Sequence, residues 1–234
     1  MTGIISSDTF HSDIVSGWKM MRIEYDRFSG INLPDTAWWV IEQVYSGFNF
    51  GESLDFNRTP YVEFREDTIH LLEDDSISPH PQIRWNYLHT DLKNVRDVYR
   101  SQVLDDWPFY LVAADSITGA KKAGQTYWPH AFNETDTTNM MSILYIATIQ
   151  DWADSIGLST DTTNLWIGIA TAHELGHFSV YLADYPDSTQ AHSTNQCLMN
   201  GSRFLEDQIS EPRFCPKCIY YLRGNPRKRG PIVF

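Results

Sequence analysis

The chain has 234 residues, a length that suits one domain, or one domain divided by a cleft, and that allows a sizeable core. Its formal net charge of -12 argues against nucleic acid and against anionic membrane surfaces as partners, and no apolar run is long enough to span a bilayer. The start of the sequence has no basic segment followed by an apolar one, so we expect a cytoplasmic protein, or a secreted one if this chain is a processed mature form.

The first half of the chain predicts alternating strands and helices. Apolar and aromatic clusters predict strands at residues 21–25, 61–64 and 109–114. Apolar residues recur at helical spacing from Pro34 to about Gly47 and over residues 84–104, which predicts two helices. The region 26–30 is predicted to form a turn, and the acidic stretch 73–81, which contains two prolines, is predicted to be a loop.

The second half of the chain predicts an edge strand, an interior strand and a third long helix. Residues 124–128 are short, contain glycine and precede a proline, which is typical of a strand at the edge of a sheet. Residues 142–149 form the most strand-like run in the chain. After a polar loop, Thr162 or Thr163 is expected to cap the next helix. The element order is typical of an α+β or α/β protein with one sheet and three long helices, and we expect the α+β class.

His173, Glu174 and His177 form an H-E-x-x-H sequence within that third helix. Positions i and i+4 lie on one helical face, so both histidines can present a ring nitrogen to one Zn²⁺. Glu174 can then take a proton from a water that the zinc acidifies and that attacks a carbonyl. The pattern predicts a zinc hydrolase. The alternative is a surface helix whose histidines and glutamate serve no chemistry.

A catalytic zinc site needs three protein ligands and an open position, so two histidines do not complete it. The candidates for the third ligand all lie downstream: Asp184, Asp187, His192 and Glu206. We favour His192, because neutral imidazole is the commonest metal ligand, and we keep Asp184 as the alternative.

The chain contains three cysteines, an odd number that does not suit a closed disulfide framework. Cys215 and Cys218 have the C-x-x-C spacing of a zinc knuckle, and Cys197 lies upstream. No thioredoxin-like unit surrounds the pair, so a metal site is favoured over a redox site. Free thiols, or one disulfide with one thiol left over, are the alternative.

The segment from His173 to Cys218 resembles the metzincin clan of zinc metallopeptidases, and most closely its archaemetzincin branch. The resemblance rests on the H-E-x-x-H sequence, on the three cysteines, and on Met199, which follows His192 by seven residues like the Met-turn of the clan. It implies a catalytic zinc, a second zinc bound by cysteines, and a methionine that packs beneath the zinc-binding histidines.

The same resemblance implies a zincin-like, metzincin-type fold, in which a mixed twisted sheet places an edge strand over the cleft. Residues 1–178 would form an N-terminal subdomain ending in the metal-binding helix. Residues 179–234 would form an irregular C-terminal subdomain with the third ligand, the Met-turn and the C-x-x-C pair.

The sequence departs from the clan pattern after His177. Clan members have glycine three residues after the second histidine and the third ligand six residues after it, whereas this chain has Val180 and Ala183 there. Fourteen residues separate His177 from His192 instead of five. Two assignments therefore stay open. Either His192 completes the catalytic site, or His192 joins the three cysteines in a structural zinc site and Asp184 is the third catalytic ligand.

The resemblance implies a metallopeptidase in which a zinc-activated water attacks the peptide bond and Glu174 is the general base. A peptide or protein substrate would bind in extended form along the edge strand, with Tyr127 and Trp128 lining the cleft. Two other functions stay open: a non-catalytic binding protein stabilised by zinc, and a zinc hydrolase that acts on a non-peptide substrate.

Overall fold

A computed structural model describes ten ranges of the chain: residues 14–15, 18–19, 21–46, 69–77, 81–100, 109–127, 141–180, 197–199, 214–215 and 218. The strand predicted at residues 61–64 lies outside the described residues. So does most of the predicted C-terminal subdomain, and the division at residue 178 stays a prediction. Within these ten ranges, no helix is both long enough and apolar enough to cross a bilayer.

A mixed, five-stranded sheet forms the centre of the fold. Its strands are β3 (Met21–Phe28), β4 (Ile69–Ile77), β5 (Phe109–Ala114), β6 (Gly124–Tyr127) and β7 (Met141–Tyr145). They lie in the order β4-β3-β5-β7-β6, and every neighbouring pair is parallel except β6 with β7. A separate short antiparallel pair consists of β1 (Ile14–Val15) and β2 (Trp18–Lys19). The predicted mixed sheet is therefore confirmed, and the predicted edge strand β6 lies at the edge of the described sheet, where it pairs antiparallel with β7.

Four α-helices occur in the described ranges: α1 (Asp35–Ser46), α2 (Leu88–Tyr99), α3 (Ile146–Ser155) and α4 (Thr160–Val180). The first, second and fourth correspond to the three predicted helices. The second is shorter than predicted, because Arg84 is extended, residues 85–87 form a 3₁₀ turn, and the chain leaves the helical conformation at Arg100.

The sheet separates two hydrophobic cores. Helices α1 and α4 cover one face, and α2 covers the other. Along β5, Leu111 and Ala113 point to the first core, while Tyr110, Val112 and Ala114 point to the second. A parallel strand buried on both faces is expected to be apolar throughout, and this explains why β5 was predictable from composition alone.

Helix α4 is the central helix, and every side chain from residue 166 to residue 177 is buried. It packs against α1, α3, β6 and β7. A Cβ at Gly168 would lie 2.8 Å from the Cβ of Val40 and 2.9 Å from the Cα of Ala37, so only glycine permits this approach of α1. A helix that is buried on all sides holds its functional side chains in a rigid frame.

The start of α4 differs from the prediction. The Ser159 hydroxyl, rather than a threonine side chain, accepts a hydrogen bond from the Thr162 N–H at 3.3 Å. The Thr163 hydroxyl instead donates to the Ser159 carbonyl at 3.0 Å. The cap therefore lies three residues earlier than the first predicted position, because the helix itself begins at Thr160.

Three predicted boundaries in the sheet are wrong. Residues 73–77, predicted as a loop, belong to β4, which pairs with β3 at the other edge of the described sheet. Residues 26–28, predicted as part of a turn, continue β3, and the turn lies at Ser29 and Gly30, where Gly30 has φ +83°. The predicted strand 142–149 ends at Tyr145, and the chain continues as α3.

Candidate metal centre

His173 and His177 present their rings to each other one turn apart on α4. Their Nε2 atoms are 3.1 Å apart, and both side chains are buried. Two nitrogen ligands of a tetrahedral zinc ion, at about 2.0–2.1 Å each, lie roughly 3.3 Å from one another. The separation of the two Nε2 atoms therefore fits a single zinc ion between them.

A backbone carbonyl fixes the orientation of the His173 ring. The Nδ1 of His173 lies 2.6 Å from the carbonyl oxygen of Leu198. A carbonyl only accepts hydrogen bonds, so Nδ1 carries the proton, and Nε2 of the neutral ring keeps its lone pair. This is the arrangement found at most zinc-binding histidines, in which the second nitrogen is held by a partner outside the metal's own ligands.

Glu174 completes this group of side chains. One of its carboxylate oxygens and the ring nitrogens of His173 and His177 all lie within 4.8 Å of one another. On its other side, the Thr126 hydroxyl on β6 donates a hydrogen bond to Oε2 of Glu174 at 2.7 Å. The carboxylate of Glu174, which is only 6% exposed, is thus held between the candidate metal position and the edge strand.

Met199 and Phe214 lie against the same turn of α4, on the side of Gly176. A Cβ at Gly176 would be 2.6 Å from the Met199 sulfur and 3.1 Å from the Phe214 ring. Both side chains are buried. Glycine at this position lets them pack directly on the helix turn that separates the two histidines. The assignment of Met199 as a Met-turn stays a prediction.

Cys197, Cys215 and Cys218 form a second group. The sulfur of Cys218 lies 3.6 Å from the sulfur of Cys197 and 3.6 Å from that of Cys215, and all three are buried. Sulfur ligands of a tetrahedral zinc ion, at about 2.3 Å each, lie roughly 3.8 Å apart. A disulfide needs its sulfur atoms about 2.05 Å apart, and the three cysteines are free thiols. They fit three corners of a tetrahedral zinc site.

The electrostatics of the cysteine group depend on whether a cation is bound. Hydrogen bonds to Cys197 and Cys215, then burial, then the charges of those two thiols raise the pKa of Cys218. A divalent cation would reverse this effect, because it deprotonates the thiols that bind it. The backbone N–H groups of Met199 and Cys215 point at the Cys197 sulfur, at 3.4 Å and 3.3 Å, and would stabilise a thiolate there.

Several predicted site residues lie outside the described residues: Asp184, Asp187, His192, Glu206 and Trp128. The identity of the third catalytic ligand therefore stays a prediction. Tyr127 is buried in the core on the α2 side of the sheet, with its hydroxyl 3.0 Å from Nε2 of His89. Its predicted role in substrate binding stays a prediction as well.

Two residues at the site were not singled out from the sequence. The hydroxyls of Thr126 and Ser142 lie 2.9 Å apart and are directed at the Glu174 carbonyl, at 3.1 Å and 3.3 Å. Strand alternation places Thr126 and Gly124 on one face of the edge strand. Their proximity to Glu174, however, depends on how α4 packs across the sheet, which no local sequence pattern predicts.

No protein-family model matches the chain, and no curated protein matches its sequence. Among solved structures, the chain is similar to a zinc-dependent peptidase from Methanocorpusculum labreanum (strain Z), at 13% identity and a TM-score of 0.47. The match covers 87% of this chain and 100% of that chain. A likeness at this TM-score establishes neither a fold family nor a function, and the metzincin-type fold stays a prediction.

Proposed function

We propose that the protein is a zinc metallopeptidase whose catalytic ion is held by His173, His177 and His192. The observation that carries this proposal is the pair of buried Nε2 atoms, 3.1 Å apart on α4, with the Glu174 carboxylate beside them. When bound, zinc supplies Lewis-acid chemistry: it acidifies water at the site and polarises the substrate carbonyl.

Glu174 acts first as a general base and then as a general acid. Its carboxylate accepts a proton from the water that attacks the peptide carbonyl, and a tetrahedral centre forms. When the C–N bond breaks, Glu174 donates that proton to the leaving amine. The position of the carboxylate, within 4.8 Å of the histidine nitrogens, supports both proton transfers at the same place.

An extended peptide is the substrate that this geometry favours. Strand β6 pairs with β7 on one side and stands at the edge of the described sheet. An extended segment can add to such an edge through main-chain hydrogen bonds. Because Thr126 on β6 also contacts Glu174, a peptide on this edge would lie beside the base.

We further propose that Cys197, Cys215 and Cys218 bind a second, structural zinc. Their sulfur separations of 3.6 Å and the N–H groups directed at Cys197 support this assignment. A fourth ligand is not among the described residues of this group. In the alternative assignment of the ligands, His192 supplies it and Asp184 completes the catalytic site.

Substitution of the base tests the proposed mechanism. Glu174→Gln is expected to lower kcat/KM on a fluorogenic peptide library by about 10³-fold, because the amide cannot take up the proton. Its zinc content, measured by elemental analysis, should equal that of the wild type. Asp154→Asn, which also converts a carboxylate to an amide but at an exposed position of α3, is the matched control and should keep full activity. Undiminished hydrolysis by the Glu174 variant would contradict the proposal.

A pair of variants tests the third ligand. His192→Ala is expected to lose the catalytic zinc and the activity together, whereas Asp184→Ala should keep both. Zinc per chain and peptide hydrolysis are measured for each purified variant. The opposite result, with catalytic metal lost only from the Asp184 variant, would establish the alternative assignment.

A further inference from the structure

We propose that the edge strand β6 positions the general base. Thr126 fixes the Glu174 carboxylate through a hydrogen bond, and Gly124 leaves the space that this carboxylate occupies. The inference deepens the proposed peptidase function and rests on it for the role of Glu174. It makes Thr126 a positioning residue, which acts on the reaction through Glu174.

The hydrogen-bond geometry at Thr126 gives its single hydroxyl proton a preferred acceptor. Oε2 of Glu174 lies at 2.7 Å, closer than the Ser142 hydroxyl at 2.9 Å or the Glu174 carbonyl at 3.1 Å. Hydrogen bonds to an ionised carboxylate are the shortest and strongest of these kinds. Ser142 can then donate its own proton to the Thr126 oxygen, so that the two hydroxyls form a chain that ends at the carboxylate.

Gly124 constrains the other carboxylate oxygen through space. A Cβ at this position would lie 2.7 Å from Cγ and 2.8 Å from Oε1 of Glu174. Both distances are shorter than van der Waals contact, so any larger residue would displace the carboxylate. The backbone of Gly124 is not in the left-handed region, so its conformation does not itself require glycine.

One strand face therefore constrains both oxygens of the base: Oε2 through the hydrogen bond from Thr126, and Oε1 through the space left by the missing side chain of Gly124. The main-chain edge of the same strand is where the substrate peptide is proposed to pair. Because both are held by β6, the distance from the base to the scissile bond is set by the strand. A misplacement of about 1 Å between reacting groups can lower the rate roughly 100-fold.

Thr126→Val tests the hydrogen bond, because it replaces the hydroxyl by a methyl group of similar shape. We expect kcat to fall about 10- to 100-fold with KM changed less than about twofold. Thr126→Ser, which keeps the hydroxyl, should remain within about threefold of the wild-type kcat. Gly124→Ala should lower kcat like Thr126→Val, and both variants should keep wild-type zinc content. Wild-type kcat in Thr126→Val, or equal losses in the Val and Ser variants, would overturn the inference.

Thr171→Val is the matched control for these variants. Thr171 is a buried threonine of α4, and its hydroxyl donates to the Ile167 carbonyl at 2.7 Å. The substitution removes the same group from the same core without touching Glu174, so kcat should stay at the wild-type value. A fall in kcat equal to that of Thr126→Val would mean that any lost hydroxyl near α4 has this effect, and the inference would be wrong.

A second measurement needs neither metal nor activity. The melting temperature of the metal-free protein is compared for Thr126→Val, Glu174→Ala and the double variant. Both single substitutions remove the same hydrogen bond, so Thr126→Val should lower the melting temperature less in the Glu174→Ala background. Fully additive shifts would overturn the inference. If the wild type cleaves no peptide and the shifts are non-additive, the hydrogen bond between Thr126 and Glu174 is supported and the proposed peptidase function is wrong.

Discussion

Asp91 is the buried carboxylate that joins α2 to the segment before it. It accepts three hydrogen bonds from Arg84: from the backbone N–H at 2.9 Å, from Nε at 3.0 Å and from Nη2 at 2.7 Å. Hydrogen bonds from the Arg84 side chain lower the pKa of Asp91, although burial opposes them. The stability that this carboxylate contributes is therefore complete above the pKa of the unfolded chain, about 3.9, and is lost as the pH falls through the lower pKa of the folded state.

Asp91→Asn is expected to lower the melting temperature at pH 7 by a few degrees. The amide keeps the shape of the carboxylate but loses its charge and one of its acceptors. The difference from the wild type should begin to narrow as the pH falls below about 4, where Asp91 of the unfolded chain takes up a proton, and it should narrow further as the pH falls through the lower pKa of the folded state. Thermal unfolding between pH 3 and pH 7 measures the difference in melting temperature. Asp97→Asn on the same helix is the control: the Asp97 carboxylate is half exposed, so this variant should lower the melting temperature less. A difference that is constant across this range would contradict the prediction.

Single residues of the site divide into those that a local pattern identifies and those that it does not. His173, Glu174 and His177 were predictable because the helical repeat alone places them on one side of α4. The contacts that orient them come from far along the chain: Leu198 is 25 residues from His173, and Thr126 is 48 residues from Glu174. Such partners are determined by tertiary packing, so spacing in the sequence does not indicate them.

The contact between α1 and α4 holds the histidine-bearing helix in place. Gly168 is a point of close approach, where the Cα of Ala37 lies 2.9 Å from the position a Cβ would take. Four residues further along α4, the Ala172 carbonyl accepts a hydrogen bond from the buried hydroxyl of Tyr45 at 2.9 Å. Tyr45 also packs edge-on against Phe214, with the ring centroids 5.4 Å apart. Helix α1 is therefore a rigid support for the turn that precedes His173.

Gly168→Ala is expected to lower the free energy of unfolding by about 1–3 kcal/mol, because the added methyl group overlaps the Ala37 backbone, which cannot rotate away. The higher helix propensity of alanine, worth about 1 kcal/mol, offsets only part of this loss. Urea denaturation measures the change. An unchanged or increased free energy of unfolding would show that α1 can move away from α4 freely.

Segments that were predicted wrongly owe their structure to a neighbouring element. The composition of residues 73–77 is that of a loop, yet they form part of β4 because β3 offers them a parallel partner. The run 142–149 looks like one strand, but its pairing ends where β5 ends, with Ala114 opposite Tyr145. Beyond that point, Ile146, Ile149 and Ala153 become the buried face of α3. The apolar residues of this run fit both the alternation of a strand and the 3.6-residue repeat of a helix. The length of the partner strand β5 determines where the strand ends and the helix begins.

On the scale of the whole molecule, residues 197–199 join the two candidate metal groups. Cys197 belongs to the cysteine group, the carbonyl of Leu198 holds the His173 ring, and Met199 packs against α4 at Gly176. Three consecutive residues thus contact both groups. The order of this segment should depend on whatever binds the cysteines.

The purified protein is expected to contain about two zinc ions per chain, and Cys218→Ser about one. In that variant the histidine group should also bind its remaining zinc more weakly, because a less ordered Leu198 holds the His173 ring less firmly. Loss of a partner that orients a zinc ligand lowers zinc affinity about 10- to 100-fold. Elemental analysis and competition with a chelator measure the two quantities. One zinc per wild-type chain, or unchanged affinity in the variant, would contradict this expectation.

The tripeptide shared by the two groups has a consequence for how the protein acquires metal. Thermodynamic reciprocity requires that if an ion at the thiols tightens binding at the imidazoles, an ion at the imidazoles tightens binding at the thiols by the same factor. Loading should then be cooperative, so that an ion bound at either group lowers the free zinc concentration needed to fill the other. The zinc dependence of the proposed peptidase activity would then report on the thiols as well as on the histidines.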